Sequence, residues 1–336
     1  MARKVRVGLI GCGGIMKRHI NDLSASPNAI IEAMADPSAE NISRHRKAFP
    51  EIAQAAEFED YRDMLKTDLD AIVIASPHTV HAQQIIDSMK KGLHVLCEKP
   101  MVTSIADARR VLREEKKSGK ALVLAYQRHF QDTFKYVKKM IESGELGQIN
   151  LIQAIQCQQW SFGVKGTWRM DPELSGFGQM SDSGSHLLDI IMWTTGLKPK
   201  RIAALVDYEG FDVDINSALT VEFDGGAIGN ITINGNAAMW WEDITMNGTK
   251  GTLFIRNGTV SHKVGVDGEL RTVEAAPPAW YKAAATPAGH FLQVIRGEAE
   301  NLSPSISGLR VIEICQTAVE SAKAGGKMTK VPHTKV

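Results

Sequence analysis

The sequence predicts an α/β protein: first a doubly wound parallel sheet, then an α/β domain with an open, largely antiparallel sheet. Three observations predict it. Val5–Ile10 is a β-branched apolar run that leads straight into the glycines Gly11, Gly13 and Gly14. Up to about residue 125, short continuous apolar runs alternate with amphipathic stretches, the signature of a parallel sheet covered on both faces. Beyond Tyr126 the runs lengthen, and Asp224-Gly225-Gly226 between two of them reads as a hairpin turn. With 336 residues, the chain is long enough for two domains. They are expected at residues 1–125 and 126–336.

In the first part the expected strands are Val5–Ile10, Ile30–Ala35, Ala71–Ala75, His94–Cys97 and Ala121–Ala125. Helical patterns lie near Ile15–Ser24, Glu40–Phe49, Tyr61–Lys66, Val80–Lys90 and Ile105–Lys117. In the second part a helix near Thr133–Ser143 stops at Gly144. Strand-like runs follow at Ile149–Trp160, Arg201–Tyr208, Ser217–Phe223, Ala227–Asn234, Glu242–Met246 and Thr252–Ile255. Ile306–Ala324 has helical periodicity and stops at Gly325-Gly326; it is expected to pack back towards the first domain.

Composition narrows the function classes. The chain is 43% hydrophobic and 23% charged, as in ordinary globular proteins. A net charge of +1 gives no argument for nucleic acid or for an anionic membrane surface. The apolar stretch behind the basic start ends at the glycines, so it reads as a strand and not a signal peptide. The four cysteines, Cys12, Cys97, Cys157 and Cys315, form no CxxC pair, and reduced thiols in the cytoplasm are expected.

The glycine turn is the first chemical signal. A strand, closely spaced glycines and a helix make a dinucleotide-binding unit when an acid closes the next strand, and Asp36 does so here. Gly11 permits the tight turn and Gly13 lets the backbone approach a pyrophosphate. Gly14, Ile15 and Met16 open the helix, whose N-terminal N–H groups face the phosphates. Met16 stands where a third small residue is usual. Asp36 accepts hydrogen bonds from the ribose hydroxyls and repels a 2′-phosphate, so NAD is expected over NADP.

Two further loops end strands of the first domain. Ser76-Pro77-His78-Thr79-Val80-His81 opens a helix and is expected beside the nicotinamide ribose. His78 and His81 are three apart, but no third ligand accompanies them, so no metal is expected. Glu98-Lys99-Pro100 places a lysine at the mouth of the crevice, well placed to meet a substrate; taken alone, it reads sooner as a solvated surface group, as most lysines are. In the second domain Asp182 and His186 are four apart, which on a helix puts them on one face. A carboxylate so placed orients a histidine for proton transfer; a packed histidine at a helix start is the simpler alternative.

Taken together and in this order, the Gly11/Gly13 turn, the Ser76-Pro77-His78…His81 loop, Glu98-Lys99-Pro100 and Asp182-xxx-His186 resemble the Gfo/Idh/MocA oxidoreductases. Glucose–fructose oxidoreductase and inositol dehydrogenases belong to that family. The resemblance spans nearly the whole chain and includes Gly144-Glu145-Leu146-Gly147 and the Trp168-Arg169 pair. It implies a Rossmann domain, NAD(P) and a sugar or polyol substrate. It also implies that Lys99 hydrogen-bonds the reacting hydroxyl, that His186 takes the hydroxyl proton and that Asp182 supports His186. Glu98, Trp168 and Arg169 are implied near the cofactor.

Several residues have two readings. Gln127 and Arg128 follow the last Rossmann strand. Gln127 is a candidate for the nicotinamide and Arg128 for the substrate; both are equally explained by packing. Gln156, Gln158 and Trp160 alternate along a run read as strand and offer amides and an aromatic surface to a sugar, or a subunit interface. His290 opens a late helix and is a weaker candidate. The second-domain sheet leaves a face that no helix in this reading covers. Leu219, Val221, Ile231 and Ile233 are the apolar positions expected on it, which predicts a homodimer or homotetramer. Three functions fit: a sugar or polyol dehydrogenase, an NAD-dependent glycosidase with transient redox, or a non-catalytic NAD(P)-binding regulator. The dehydrogenase is the leading reading; Lys99, Asp182 and His186 together argue against the regulator, and net accumulation of reduced cofactor separates the dehydrogenase from the glycosidase.

Overall fold

The short apolar runs of the first part become six parallel strands: β1 (Val5–Ile10), β2 (Ala29–Ala35), β3 (Ala56–Phe58), β4 (Ala71–Ile74), β5 (His94–Cys97) and β6 (Leu122–Leu124). Their order across the sheet is β3-β2-β1-β4-β5-β6. This is the Rossmann order, and it reverses between β1 and β4. Ligands in such sheets bind outside the strand C-termini at that reversal. The structure, a computed structural model, describes residues 3–273 and 286–332.

The chain forms two compact units. One gathers the residues up to Val102, Ala106–Gln127 and the segment that ends at Gly308; the other holds Thr103–Ile105, the segment that begins at Arg128, and the chain from Leu309 onward. A single boundary after residue 125 therefore misses a return of the chain. The helix Pro287–Ile295 explains that return. Its Ala288, Phe291 and Leu292 are buried in one cluster with Val7, Leu9, Ile20, Met34, Val73 and Leu96 of the Rossmann unit. Removing such apolar surface from water stabilises by about 25 cal/mol per Å², enough to hold a helix far away in sequence.

The second unit is built on a nine-stranded sheet. Its strands are β7 (Ile149–Cys157), β8 (Pro199–Asp207), β9 (Asn216–Phe223), β10 (Ile228–Asn234), β11 (Trp241–Gly248), β12 (Gly251–Arg256), β13 (Thr259–Val264), β14 (Arg271–Val273) and β15 (Thr329–Lys330). They lie in the order β14-β13-β12-β11-β7-β10-β9-β8-β15. Every pairing is antiparallel except β10 with β7. The strands β3, β13, β14 and β15 escaped the sequence reading because they are short or polar and sit at or near sheet edges, where one face is not forced to be apolar.

The register overturns one expectation. Leu219 stands opposite Ala204 and Ile231, Ile231 opposite Ala154, and Ala154 opposite Ile244. Leu219, Val221, Ile231 and Ile233 are at most 3% exposed, so they are core residues and need no partner. Helices do cover that face. Ser185–Thr195 packs against β7, and Ser321 of the helix Ser305–Lys323 accepts the N–H of Ala204 at 2.9 Å. The other face carries Leu205, Ile228 and Trp241, all exposed, among Thr220, Asn230, Thr232 and Thr245. The alternation was legible; which half faced the core was not, because strand periodicity fixes two faces but not their assignment. Among the described residues no helix is long and apolar enough to cross a membrane.

Candidate active site

The glycine turn has the geometry its sequence requires. Gly11 has φ near +81°, and a Cβ there would lie 2.6 Å from the Ser76 backbone nitrogen, so only glycine fits. A Cβ on Gly13 or Gly14 would meet nothing within 4 Å, which leaves open space beside the turn. The helix α1 (Met16–Ser24) follows, with Ile15 exposed at its cap. No side chain caps this N-terminus and its first turn carries no acid. Open space over glycine backbone and an uncapped helix start fit a dinucleotide pyrophosphate. Met16 is accommodated because its side chain is fully buried in the core beneath the turn. A large residue at that position therefore does not intrude on the phosphate side.

Asp36 does more than the sequence suggested. Its Oδ2 accepts the Cys12 N–H at 2.6 Å, and its Oδ1 accepts the Ser38 N–H at 2.8 Å and the Asn41 amide at 3.2 Å. The acid at the end of β2 thus clamps the glycine turn. Behind the turn, α2 (Ala39–Ala48) supplies Arg44, which donates to Cys12 O at 3.2 Å, and buried His45, whose Nε2 lies 3.0 Å from both Cys12 O and Gly13 O. Sequence reading missed His45. Its only signal was a buried phase in an otherwise charged helix. Burial, and then the charge of Asp36, push the Cys12 thiol up to about 12, so this cysteine is not a nucleophile.

The two loops beyond β4 and β5 are joined by side chains. Ser76 donates from Oγ to Gln84 Oε1 at 2.6 Å. His81 is fully buried, with Nε2 2.9 Å from Ser76 O and Nδ1 2.9 Å from Pro100 O. Burial pushes its pKa down, against the two carbonyls that favour a proton. Both ring nitrogens face backbone oxygens of the chain itself, so His81 is a strut between loops and not the cofactor contact expected of it. His78 is also buried, in the turn ahead of it. Lys99 is half-buried and Glu98 largely buried. Glu98 Oε1 is 2.9 Å from His19 Nε2, and Glu98 Oε2 accepts the Lys99 N–H at 3.2 Å. Gln127 begins the turn Gln127–Phe130 after β6 and is half-buried.

In the second unit, Asp182 and His186 do not share a helix face. Asp182 lies in the turns before the helix Ser185–Thr195, and His186 is the second residue of that helix. The turn brings them close along the chain: Ser185 Oγ donates to Asp182 O at 2.7 Å and the His186 N–H to Ser183 O at 3.1 Å. Asp182 Oδ2 accepts two donors, Trp160 Nε1 and Arg169 Nε, each at 2.9 Å. The Arg169 guanidinium stacks over the Trp168 ring at 4.4 Å. Through Arg169, the Trp168-Arg169 pair therefore serves the carboxylate four residues before His186. His186 itself is 9% exposed.

Other candidates are corrected. The strand read as Ile149–Trp160 stops at Cys157, and Trp160 opens the helix Trp160–Val164, so Gln156, Gln158 and Trp160 share no strand face. Gln156 is fully buried and donates to Glu242 Oε2 at 3.2 Å. Arg128 is committed to the same carboxylate through both Nη atoms, at 3.0 and 2.7 Å. Arg128, Gln156 and Glu242 are thus a buried polar network, not a substrate surface. Gln158 is half-buried and accepts from Gln179 at 3.3 Å. His290 is fully buried and its Nε2 accepts the Leu302 N–H at 3.1 Å, a packing role in the first unit.

Asp214 was not foreseen. It is 2% exposed, and it accepts the Gly178 N–H through Oδ1 and the Met180 N–H through Oδ2, each at 2.7 Å. A Cβ on Gly178 would lie 2.0 Å from Asp214 O, so backbone passes against backbone here. Burial pushes the Asp214 carboxyl up, and the Met180 and Gly178 N–H groups oppose that shift. Asp214 thereby sets the turn that leads to Asp182. Among the described residues no group of three or more His, Cys, Asp or Glu side chains is arranged to hold a metal ion.

Comparison with known proteins agrees with the fold and with an NAD-binding first domain. Residues 5–126 match the oxidoreductase family with the NAD-binding Rossmann fold, and residues 134–254 match the GFO/IDH/MocA C-terminal domain. An uncharacterised oxidoreductase, YrbE of Bacillus subtilis, is 30% identical over 273 residues, 76% of this chain and 75% of its own length. Myo-inositol 2-dehydrogenase of Thermotoga maritima is 26% identical over 269 residues, 75% of each chain. Among solved structures, a levoglucosan dehydrogenase in complex with NADH superposes with a TM-score of 0.87 at 21% identity, covering 99% of this chain and all of that one, which shows a common fold. The WlbA dehydrogenase of Bordetella pertussis, in complex with NADH and UDP-GlcNAcA, gives a TM-score of 0.83 at 25% identity over 99% of this chain and all of its own. With both of its domains accounted for by the family's two halves, this chain is a member of the GFO/IDH/MocA oxidoreductases, and its first unit is their NAD-binding domain.

Proposed function

We propose that this protein is an NAD-dependent dehydrogenase that oxidises a secondary alcohol of a sugar, an inositol or a related polyol. The observation that carries the reading is the Asp182 carboxylate, fixed by Trp160 and Arg169 at 2.9 Å each, one short turn ahead of His186. A carboxylate fixed in the turn that leads into a histidine-bearing helix supports a role for that histidine in proton transfer. Bound NAD supplies the hydride acceptor.

In this reading the chain's own residues handle the proton and the developing charge. The Lys99 ammonium hydrogen-bonds the reacting hydroxyl and stabilises negative charge on its oxygen. His186 accepts the hydroxyl proton at a ring nitrogen. Asp182, held by Arg169 and Trp160, keeps the surroundings of His186 fixed so that little reorganisation accompanies the transfer. The Gly11–Ile15 turn, Asp36, Ser76 and His78 hold the cofactor. The dehydrogenases of inositol and levoglucosan among the relatives support the substrate class. We assign the exposed sheet face bearing Leu205, Ile228 and Trp241 to association into a homodimer or homotetramer in the cytoplasm.

A panel of polyols and sugars assayed with NAD and with NADP, followed by the absorbance of the reduced cofactor, tests the function. Reduced cofactor accumulating with at least one sugar or inositol is the expected result. A sugar cleaved from its aglycone with no net reduced cofactor would make the protein a glycosidase instead. Sedimentation at micromolar concentration tests the assembly, and a monomer alone would refute it.

A further inference from the structure

Lys99 is flanked by two residues, and each is pinned by a buried histidine. On one side, His19 of α1 reaches Glu98 Oε1 at 2.9 Å, and Glu98 Oε2 accepts the Lys99 N–H. On the other, His81 Nδ1 lies 2.9 Å from Pro100 O. His19 is 2% exposed and His81 is fully buried. All of these residues belong to the Rossmann unit.

His19 is poorly explained by packing. Its Nδ1 is buried without a hydrogen-bond partner, and stranding a polar atom in this way costs about 1–3 kcal/mol. Leucine or methionine would suit the buried stripe that His19 shares with Met16, Ile20 and Leu23 along the helix, without that cost. The histidine does offer a donor that an apolar residue lacks, and that donor goes to Glu98. Burial alone would push the Glu98 carboxyl up. The hydrogen bond from His19, the nearby Lys99 charge and the Lys99 N–H outweigh it and bring the carboxyl below its ordinary value. The carboxylate is therefore kept charged in a largely buried place where a donor on each oxygen is needed.

We propose that His19 and His81 are positioning residues for Lys99, two buried imidazoles that fix the backbone on either side of it, His19 acting through Glu98. This rests on the reading of Lys99 as the residue that meets the substrate hydroxyl. Positioning of this kind matters because a misplacement of about 1 Å can cost on the order of 100-fold in rate.

The test compares His19→Leu with His19→Gln, whose amide restores a donor near the Nε2 position, and adds His81→Leu. Two readouts are used: kcat and KM on the best alcohol found, and the rate of Lys99 acylation measured by mass spectrometry on protein without substrate. NAD affinity is measured in parallel by fluorescence. His19→Leu and His81→Leu are expected to lower kcat roughly 10- to 100-fold and to change the Lys99 acylation rate several-fold, with NAD affinity within twofold of wild type. His19→Gln is expected to recover most of both. If His19→Leu instead weakens NAD binding and leaves kcat and Lys99 acylation alone, His19 merely packs α1 and the proposal is overturned. If His19→Leu and His19→Gln fail alike, a lost donor is not the cause, which also overturns it. If wild type oxidises no alcohol while Lys99 acylation responds as stated, the clamp stands and the dehydrogenase reading falls.

Discussion

The Asp36 carboxylate accepts the Cys12 backbone N–H at 2.6 Å, which ties the acid at the end of β2 to the glycine turn at the end of β1. One side chain thus both shapes the phosphate-binding turn and stands where the ribose is expected. Replacing Asp36 by Ser removes the carboxylate that accepts the Cys12 and Ser38 N–H groups together and leaves one hydroxyl oxygen in place of two charged acceptors. The variant should lose about 1–3 kcal/mol for each buried donor left unpaired. Its preference for NAD over NADP should narrow, because the charge that repels a 2′-phosphate is gone. Urea unfolding and kcat/KM with both cofactors check the two effects; equal wild-type kcat/KM for NAD and NADP would refute the second.

His186→Ala should lower kcat roughly 10²–10⁴-fold, the usual weight of a general base. NAD affinity should change little, since the cofactor turn lies in the other unit. In wild type, oxidation should accelerate as pH rises and the histidine loses its proton. That rising limb should vanish in the variant. A near-normal kcat in His186→Ala places the base elsewhere.

Arg169→Leu should act through Asp182. The carboxylate keeps Trp160 but loses the guanidinium at 2.9 Å. A fall in kcat is expected, with KM for NAD unchanged, and Arg169→Lys should recover part of it, because a point charge replaces only part of a planar fork. An effect on NAD binding alone would return Arg169 to the cofactor.

Arg128 should prove structural. Its ion pair with Glu242 is buried, with side chains 9% and 7% exposed. Arg128→Met leaves that carboxylate uncompensated and should destabilise by about 3–5 kcal/mol. Glu242→Gln in the same chain should restore part of the loss. A stable Arg128→Met with a raised substrate KM would instead reinstate Arg128 as a substrate contact.

Asp214 gives a pH dependence of stability. Its folded-state pKa is raised, chiefly by burial. The folded protein therefore holds this proton at pH values where the unfolded chain has released it. Stability from Asp214 is present below the unfolded pKa, about 3.9, and declines as pH rises through the raised folded value. Asp214→Asn lacks that dependence. The stability of wild type relative to the variant should fall as pH rises from about 4. Urea unfolding of both proteins across that range checks it, and a difference that grows with pH would contradict it.

The sequence by itself determined the Rossmann unit. Five of its six strands and its glycine turn follow from apolar runs and from φ demands that only Gly11 meets. Those are local properties, readable one residue at a time. It also marked Lys99, Asp182 and His186 as candidates, through the resemblance of their motifs to the family and not through a shared helix face, since Asp182 lies in the turns before the helix that holds His186. Tertiary structure alone decided the rest. Which face of the second sheet is core depended on what packs against it, so strand alternation alone does not put Leu219 and Ile231 on the buried side, where they lie. Whether Arg128 and Gln156 meet a ligand depended on Glu242, which lies more than 80 residues further along the chain. That Asp214 holds the turn before Asp182, and that His19 holds Glu98, are contacts between residues distant in sequence. Hydrogen bonds in a buried place are fixed by partners that folding brings together, and no pattern within either segment announces them.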